Sequence, residues 1–245
     1  MWTIHVPAFD TAGAEGILSP AEKARAARYR FDEDRRRYIA GRASLRRILA
    51  ERTGTPAGEL AFEEPDGEKP RLGLTVGASG VFFNVSHSGD YTVIAVSDTA
   101  EVGIDIEEIR VDCPINQLAR RYYAASEFEW LRNLKENKKL QGFYRLWTIK
   151  EAVVKCAGLG LSVPTQSIRV RLANDQSPTV TCSDAGHKAL DGIQVRELRL
   201  VEHYASALAV STDEEVGIFL GDTLSGVRVP VPDFHQESPG GCVPD

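Results

Sequence analysis

Apolar residues recur at helical spacing in the first quarter of the chain. The run Ser19-Pro20-Ala21-Glu22 combines a serine cap, a proline at the first helical position and a glutamate at the third, which together predict a helix start. A longer helix is predicted over about 34–52, because apolar residues from Tyr38 to Leu49 share one face and Gly54 follows as a stop. The helix carries seven arginines, and the pattern places most of them on a solvated face: Arg35, Arg36, Arg37, Arg42, Arg46, Arg47 and Arg52.

Three short strands are predicted next. Strands over 81–85 and 91–97 flank residues 86–90, whose sequence Ser-His-Ser-Gly-Asp is typical of a turn. In the third strand, 102–107, the even positions are apolar and the odd positions are small or acidic. This strand should therefore bury one face in the core and carry charge on the other.

The second half of the chain begins with helical patterns and continues with strands. Ser126-Glu127-Phe128-Glu129 has the residues of a capping box, and helices are predicted over about 127–140 and about 143–157, with Gly158 and Gly160 ending the second. Strands are predicted over 168–172, 195–200, 205–210 and 216–220. After Gly221 prolines and glycines are frequent and apolar residues are few, so a poorly ordered tail is expected.

The sequence also contains an internal repeat. Residues 95–104 (AVSDTAEVGI) and 209–218 (AVSTDEEVGI) agree at seven of ten positions, and each half has a long helix before its strands. We therefore predict an α+β fold in which two similar halves, 1–102 and 103–221, are related by a pseudo-twofold axis, followed by the tail 222–245. Phe219 replaces Asp105 in the second copy, which predicts a single site in the cleft between the halves.

Composition excludes several classes of protein. A chain of 245 residues with 42% hydrophobic content can bury an ordinary core, and it has neither a signal-peptide pattern nor an apolar run of membrane-spanning length. Its four cysteines are widely spaced, without the pattern of a disulfide framework or a zinc site. A net charge of −6 argues against a general nucleic-acid binder. We expect a cytoplasmic protein without a membrane or nucleic-acid partner.

Two acidic residues on the third strand are the first candidates for chemistry. Asp105 and Glu107 are two positions apart, so they should lie about 6.5 to 7 Å apart on one face. They would repel each other unless solvent or a cation lay between them. An exposed acidic pair and a site for a hard cation such as magnesium, which prefers oxygen ligands, both remain open.

The helix predicted over 143–157 and the segment FNVSHSG add three further candidates. Glu151 and Lys155 are four residues apart, which fits either a helix ion pair or a third metal ligand beside a phosphate-binding lysine. His87 lies among small residues whose amides could approach an anion, so a phosphate-binding turn and a plain hairpin are both possible.

The three segments together resemble a known family. FNVSHSG, then VGIDIE about twenty residues later, then FYRLWTIKEAVVKCAGLGL are similar to the motifs of the large, surfactin-synthetase-activator type of 4'-phosphopantetheinyl transferases, and the resemblance spans roughly residues 17–220. It implies transfer of the phosphopantetheine arm of coenzyme A to a serine of an apo carrier protein, with release of 3',5'-ADP. It also implies magnesium dependence and a monomer of two α+β halves with the active site between them.

The resemblance further implies roles for single residues. Asp105, Glu107 and Glu151 would bind magnesium, and Lys155 would contact the pyrophosphate of coenzyme A. Glu151 is the first candidate for the base that takes the serine proton, directly or through metal-bound water, and Glu107 is the second. The residues implied for the nucleotide end are His87 and Ser86 for the 3'-phosphate, Lys69 of the EKP segment, and the basic residues Arg25, Arg37 and Arg42.

The partner and one alternative activity follow from the same motifs. Arg120-Arg121-Tyr122-Tyr123 offers positive charge and aromatic surface, which we interpret as a docking site for an acidic carrier. Whether that carrier serves fatty-acid, polyketide or nonribosomal peptide biosynthesis stays open. The alternative activity is a magnesium-dependent pyrophosphohydrolase of coenzyme A or a nucleotide.

Overall fold

The computed structural model describes residues 1–63, 69–73, 80–160, 163–172, 178–182, 190, 192–221 and 228–230. The α-helices in these ranges are α1 (Thr11–Ala14), α2 (Pro20–Ala27), α3 (Asp32–Thr53), α4 (Ile115–Tyr122), α5 (Ala125–Asn133) and α6 (Glu136–Ala157). The strands are β1 (Trp2–His5), β2 (Phe62–Glu63), β3 (Arg71–Leu72), β4 (Phe82–Ser88), β5 (Tyr91–Ser97), β6 (Val102–Glu108), β7 (Ile168–Arg171), β8 (Thr179–Cys182), β9 (Ile193–Leu198), β10 (Tyr204–Ser211), β11 (Phe219–Gly221) and β12 (Arg228–Pro230). None of the described helices is both long enough and apolar enough to cross a membrane.

Local sequence determines where the first long helices begin and end. The predicted start of α2 is confirmed, because the Ser19 side chain accepts from the Glu22 amide while the Glu22 side chain accepts from the Ser19 amide. The long helix α3 is confirmed as well, although it begins two residues earlier than predicted. It ends at Gly54, whose φ of 71° lies in the left-handed region that glycine adopts without strain.

The helices of the second half differ from the prediction at their starts. The capping box predicted at 126–129 is wrong, because α5 begins at Ala125 and Glu127 accepts from the Ala124 amide at 2.7 Å. The predicted start of the next helix at 143 is also wrong, since α6 begins at Glu136. Gly142 lies inside α6, where an added Cβ would come within 2.6 Å of Leu134, so this glycine allows close packing and does not interrupt the helix.

Two three-stranded antiparallel sheets form the centre of the molecule. Their strand orders are β1-β5-β4 and β6-β10-β9, and the elements of each sheet follow one another along the chain as a strand, a long helix and two strands. Helix α3 packs on the first sheet and α6 on the second, while β4 of one sheet lies beside β6 of the other. The described residues thus confirm a mixed α and β fold with small antiparallel sheets.

The core lies on both faces of these sheets. One cluster joins α6 to the second sheet through Ile149 and Val153, and another joins α3 to the first sheet through Leu45 and Ile94. A third cluster on the opposite faces combines β5, β6 and β10, so both sheets share it. This shared layer holds the two sheets edge to edge.

Several strand predictions change in detail. The segment 86–90 is not a turn, because β4 extends through Ser88 and only Gly89 and Asp90 connect it to β5. The strand predicted over 216–220 starts only at Phe219. Residues 228–230 of the predicted tail form β12 and pair with β11, whereas 222–227 and 231–245 lie outside the described residues. The division into halves at 102/103 stays a prediction.

Candidate active site

The site forms where β4 meets β6. In place of a backbone ladder, side chains of β4 accept hydrogen bonds from amides of β6. The amides of Ile104, Ile106 and Glu108 donate to Asn84 Oδ1, Ser86 Oγ and Ser88 Oγ at 2.9, 3.4 and 3.1 Å, respectively. Because strand side chains alternate, these three polar residues share one face of β4 and connect the two sheets.

Asp105 is the most deeply buried carboxylate of the site, with 2% of its surface exposed. Its Oδ1 accepts from Ser86 Oγ at 2.8 Å and from Lys155 Nζ at 2.5 Å, while its Oδ2 is buried without a hydrogen-bond partner among the described residues. Burial raises the pKa of Asp105 above its ordinary value, although Lys155 and Ser86 oppose this shift. Of the two alternatives for the acidic pair, the exposed one does not hold for Asp105, because this residue is buried beside α6.

The negative charge of Asp105 affects the pKa values of both Glu107 and Glu151. Glu107 accepts from Ser88 Oγ at 2.7 Å, and its pKa is raised by burial and then by repulsion from Asp105. The pKa of Glu151 is raised by the same two causes. The fold has thus placed three partly desolvated carboxylates within electrostatic range of one another, with the Lys155 ammonium as a neighbouring positive charge.

Gly103 allows α6 to approach this point. A Cβ built on Gly103 would lie 2.0 Å from the Ala152 carbonyl oxygen and 2.3 Å from the Cys156 amide nitrogen, both in the backbone of α6. No side chain fits between helix and strand here. Lys155, one residue before Cys156, can therefore reach across and pair with Asp105.

The three carboxylates have the donor atoms that a hard cation prefers. They supply oxygen donors, one of which is the unpartnered Asp105 Oδ2, and their mutual repulsion would be relieved by a positive ion. Their arrangement is not a finished metal cage, since the described part of the chain contains no group of three or more His, Cys, Asp or Glu side chains placed to hold a metal ion. Magnesium ligation by Asp105, Glu107 and Glu151 stays a prediction.

A cavity of about 230 Å³ lies on the other face of β4, between α2, α3 and the first sheet. Three of its arginines and its histidine were predicted as nucleotide contacts: Arg25, Arg37, Arg42 and His87. The Arg37 guanidinium donates to the Gly89 carbonyl at 3.0 Å and to Asp34 at 2.7 Å, which fixes it at the cavity wall. The cavity is therefore suited to an anion.

The side chains of Ser86 and His87 face different sides of β4. They are adjacent on a strand, so their side chains point to opposite faces: Ser86 is buried against Asp105, and His87 lines the basic cavity. Only the His87 side chain faces the basic cavity in this arrangement, and the assignment of both residues to the 3'-phosphate stays a prediction. The His87 side chain reaches solvent but is packed among protein atoms. Desolvation is the main cause that lowers its pKa, and the positive charges of Arg37 and Lys155 lower it further.

Arg42 takes part in an ion-pair cluster that the sequence did not predict. It donates to Glu22, its guanidinium lies 4.1 Å above the Phe62 ring, and the second oxygen of Glu22 accepts from Arg46 at 2.7 Å. Arg46 has only 1% of its surface exposed, so it is an exception to the solvated face predicted for most of these arginines. Burial alone would raise the pKa of Glu22, but hydrogen bonds from Arg46, the Ser19 amide and Arg42 lower it overall.

A second cavity, of about 570 Å³, adjoins the first and contains Glu151 and Lys155. Pro70 and Asn84 line both cavities, so the basic cavity leads towards the carboxylates. Lys69 also lines the second cavity, where it contacts Glu101 and the Val102 carbonyl, each at 2.6 Å.

The predicted docking stretch is only partly on the surface. Arg120 and Arg121 are exposed, and Arg121 and Tyr122 line the second cavity. Tyr123 is 3% exposed and donates to the Phe143 carbonyl at 2.6 Å, so its prediction as docking surface is wrong.

Sequence reasoning also missed a buried ion pair behind the site. Lys150 and Glu127 lie 2.7 Å apart with 2% of each side chain exposed, and Lys150 also donates to the carbonyls of Thr165 and Ile168. Burial lowers the pKa of Lys150, against the opposing charge of Glu127. The pair ties α5 and β7 to α6, which carries Glu151. Lys150 lies on the core side of α6, which is an unusual place for a lysine. This position in the sequence pattern could have indicated a buried ion pair.

Comparison with known proteins relates this geometry to a family. The family model described as "4'-phosphopantetheinyl transferase superfamily" matches residues 101–209, and that described as "4'-phosphopantetheinyl transferase, N-terminal" matches residues 2–99. Among solved structures, holo-(acyl-carrier-protein) synthase of Bacillus anthracis in complex with CoA aligns with a TM-score of 0.37 and 23% identity, over 45% of this chain and 93% of that one.

Curated relatives give the same family. The 4'-phosphopantetheinyl transferase HetI of a Nostoc species is 41% identical over 66% of this chain and 69% of its own length. The 4'-phosphopantetheinyl transferase psf-1 of Bacillus pumilus is 36% identical over 74% of this chain and 75% of its own length, and Sfp of Bacillus subtilis is 30% identical over 69% and 73%. On these matches the chain belongs to the 4'-phosphopantetheinyl transferase superfamily.

Proposed function

We propose that the chain transfers the 4'-phosphopantetheine arm of coenzyme A to a serine hydroxyl of an apo carrier protein and releases 3',5'-ADP. Membership of the family supports this activity, as do the names of the relatives. The observation that carries the proposal is the juxtaposition of Asp105, Glu107, Glu151 and Lys155 next to a basic cavity large enough for part of a nucleotide.

The basic cavity would bind the adenosine end of coenzyme A. Arg25, Arg37 and His87 line it and can neutralise the 3'-phosphate, while Arg42, which is paired with Glu22, would shape its wall. Lys69 would lie closer to the pyrophosphate, since it lines the second cavity beside Lys155. We reassign Ser86 from phosphate contact to the carboxylate side of β4.

Magnesium would be held by Asp105, Glu107 and Glu151. When bound, it supplies positive charge to the pyrophosphate and so favours departure of 3',5'-ADP. Lys155 would offer its ammonium to a phosphate oxygen on the same side. The three carboxylates are oxygen donors with raised pKa values, and a cation would compensate the repulsion that raises those of Glu107 and Glu151.

The transfer needs a base for the carrier serine. Its oxygen forms a bond to the phosphorus that carries the pantetheine arm, and the bond from this phosphorus to the bridging oxygen of 3',5'-ADP breaks. The serine proton passes to a carboxylate, for which Glu151 is the first candidate and Glu107 the second. Burial, the larger cause of their raised pKa values, does not depend on the repulsion that a cation would compensate, and it makes them better proton acceptors than exposed carboxylates.

The two halves of the chain would be related by duplication. Their sheets have the same order of elements, and the repeat at 95–104 and 209–218 covers the end of each central strand and the residues that follow it. A monomer with one site at the junction follows from this proposal, since only the first copy carries Asp105. The carrier would dock near Arg121 and Tyr122, and we expect the protein to act in the cytoplasm.

Mass spectrometry of the carrier tests the activity. With coenzyme A and magnesium, the protein should add about 340 Da to an apo carrier and release an equal amount of 3',5'-ADP, as expected for phosphoryl transfer. Cleavage of coenzyme A with no change in carrier mass would instead identify a hydrolase. A panel of apo carriers in the same assay identifies the preferred partner.

A further inference from the structure

Ser88 joins the two sheets at the edge of the site. Its Oγ donates to Glu107 Oε2 at 2.7 Å and accepts from the Glu108 amide at 3.1 Å. We infer that Ser88 is a positioning residue that sets the orientation of the Glu107 carboxylate across the junction between β4 and β6. This inference rests on the proposed function, because the orientation of the Glu107 carboxylate matters if Glu107 binds magnesium or takes the serine proton.

The hydrogen bonds determine which way the Ser88 proton points. A serine hydroxyl has one proton and two acceptor positions. Because an amide cannot accept, the bond from the Glu108 amide occupies an acceptor position and leaves the proton for Glu107. The hydroxyl therefore presents a fixed donor to the carboxylate.

Ser86 repeats the arrangement two residues earlier. Its Oγ donates to Asp105 while it accepts from the Ile106 amide and from Lys155 Nζ at 3.1 Å. Two serines spaced two apart on β4 thus hold two carboxylates spaced two apart on β6. This regular spacing makes an accidental contact at Ser88 a poor explanation.

Glu107 needs such a restraint because its neighbours repel it. Both Asp105 and Glu151 place negative charge near it. Glu107 and Ser88 line a third cleft, of about 640 Å³, into which the carboxylate could turn. The Ser88 bond restrains the Glu107 carboxylate in its present orientation, as outer partners of metal ligands commonly do.

Manganese binding tests the inference directly. Mn²⁺ affinity is measured by electron paramagnetic resonance, with coenzyme A present and no carrier, for the wild type and for Ser88→Ala, Ser88→Thr and Ser206→Ala. Ser88→Ala should weaken Mn²⁺ binding about 10-fold, and Ser88→Thr, which keeps the hydroxyl, should restore it. Ser206→Ala is the matched control, since it removes a buried hydroxyl bonded to the Leu198 carbonyl on the second sheet and should leave the affinity unchanged.

A double-mutant comparison separates positioning from general structural support. If Ser88 acts through Glu107, Ser88→Ala should weaken Mn²⁺ binding much less in a Glu107→Gln background than in the wild type. Wild-type affinity in Ser88→Ala, failure of threonine to restore it, or full additivity with Glu107→Gln would each overturn the inference. A wild-type protein that bound no Mn²⁺ would overturn the proposed metal site itself, which distinguishes the two failures.

Discussion

Replacing Gly103 by alanine should move helix α6 away from strand β6, and these two elements carry the residues of the site. The new Cβ would lie 2.0 Å from the Ala152 carbonyl oxygen, whereas ordinary van der Waals contact begins near 3.4 Å. The clash is with the backbone of α6, so rotating a side chain cannot relieve it. Helix and strand must move apart by about 1.4 Å, the difference between those two distances.

This displacement acts directly on the chemistry. Glu151 and Lys155 lie on the same turns of α6 as Ala152 and Cys156, the residues of the clash. Lys155 Nζ lies only 2.5 Å from Asp105. Misplacing reacting groups by about 1 Å can cost 10²-fold in rate, so we expect turnover to fall by about that factor. Overpacking should also cost about 1 to 3 kcal/mol of unfolding free energy.

Turnover and stability must be measured together. Urea unfolding gives the loss of stability, and carrier loading at a temperature where the variant is folded gives kcat and KM. The KM for coenzyme A should change less than kcat, because the basic cavity is formed mainly by α2, α3 and the first sheet and only the pyrophosphate contact involves α6. Gly58→Ala is the matched control, since its Cβ would meet nothing within 4 Å. A stable Gly103→Ala variant with wild-type kcat would refute the described packing of α6 on β6.

Three further perturbations address other parts of the account. Asp105→Asn should abolish carrier loading while leaving the circular dichroism spectrum unchanged; normal loading would remove Asp105 from the mechanism. His87 has a lowered pKa and is mainly neutral near pH 7, and a bound phosphate favours its protonated form, so coenzyme A affinity should rise as pH falls from 7 to 6. His87→Ala should flatten that dependence in calorimetry, and an unchanged slope would contradict the role. Lys150→Met leaves Glu127 buried without its partner and should cost about 3 to 5 kcal/mol in urea unfolding; a loss below 1 kcal/mol would contradict the importance of the pair.

Local signals in the sequence were sufficient for many elements. The Ser19 cap and the Gly54 stop depend on contacts within a few residues, so α2 and α3 could be predicted closely. Alternation along 102–107 likewise placed Asp105 and Glu107 on one face of a strand. These features require no knowledge of distant parts of the chain.

Features that depend on tertiary contacts could not be predicted in this way. The segment 86–90 has turn-forming residues, but pairing with β5 and the amides of β6 extends β4 through Ser88. Nothing in the local sequence distinguishes Arg46 from the other arginines of α3, because its burial depends on the ion pair with Glu22 of α2. The partner of Lys155 is Asp105, fifty positions away, because Gly103 lets the helix approach the strand. In each case a long-range contact outweighs the local pattern.

A crystal structure with coenzyme A and magnesium would test the central claim most directly. The account predicts a cation in contact with Asp105, Glu107 and Glu151, the 3'-phosphate beside His87 in the basic cavity, and the pyrophosphate within reach of Lys155. Coenzyme A bound outside the two adjoining cavities, or a cation held by other side chains while Lys155 stays on Asp105, would contradict it.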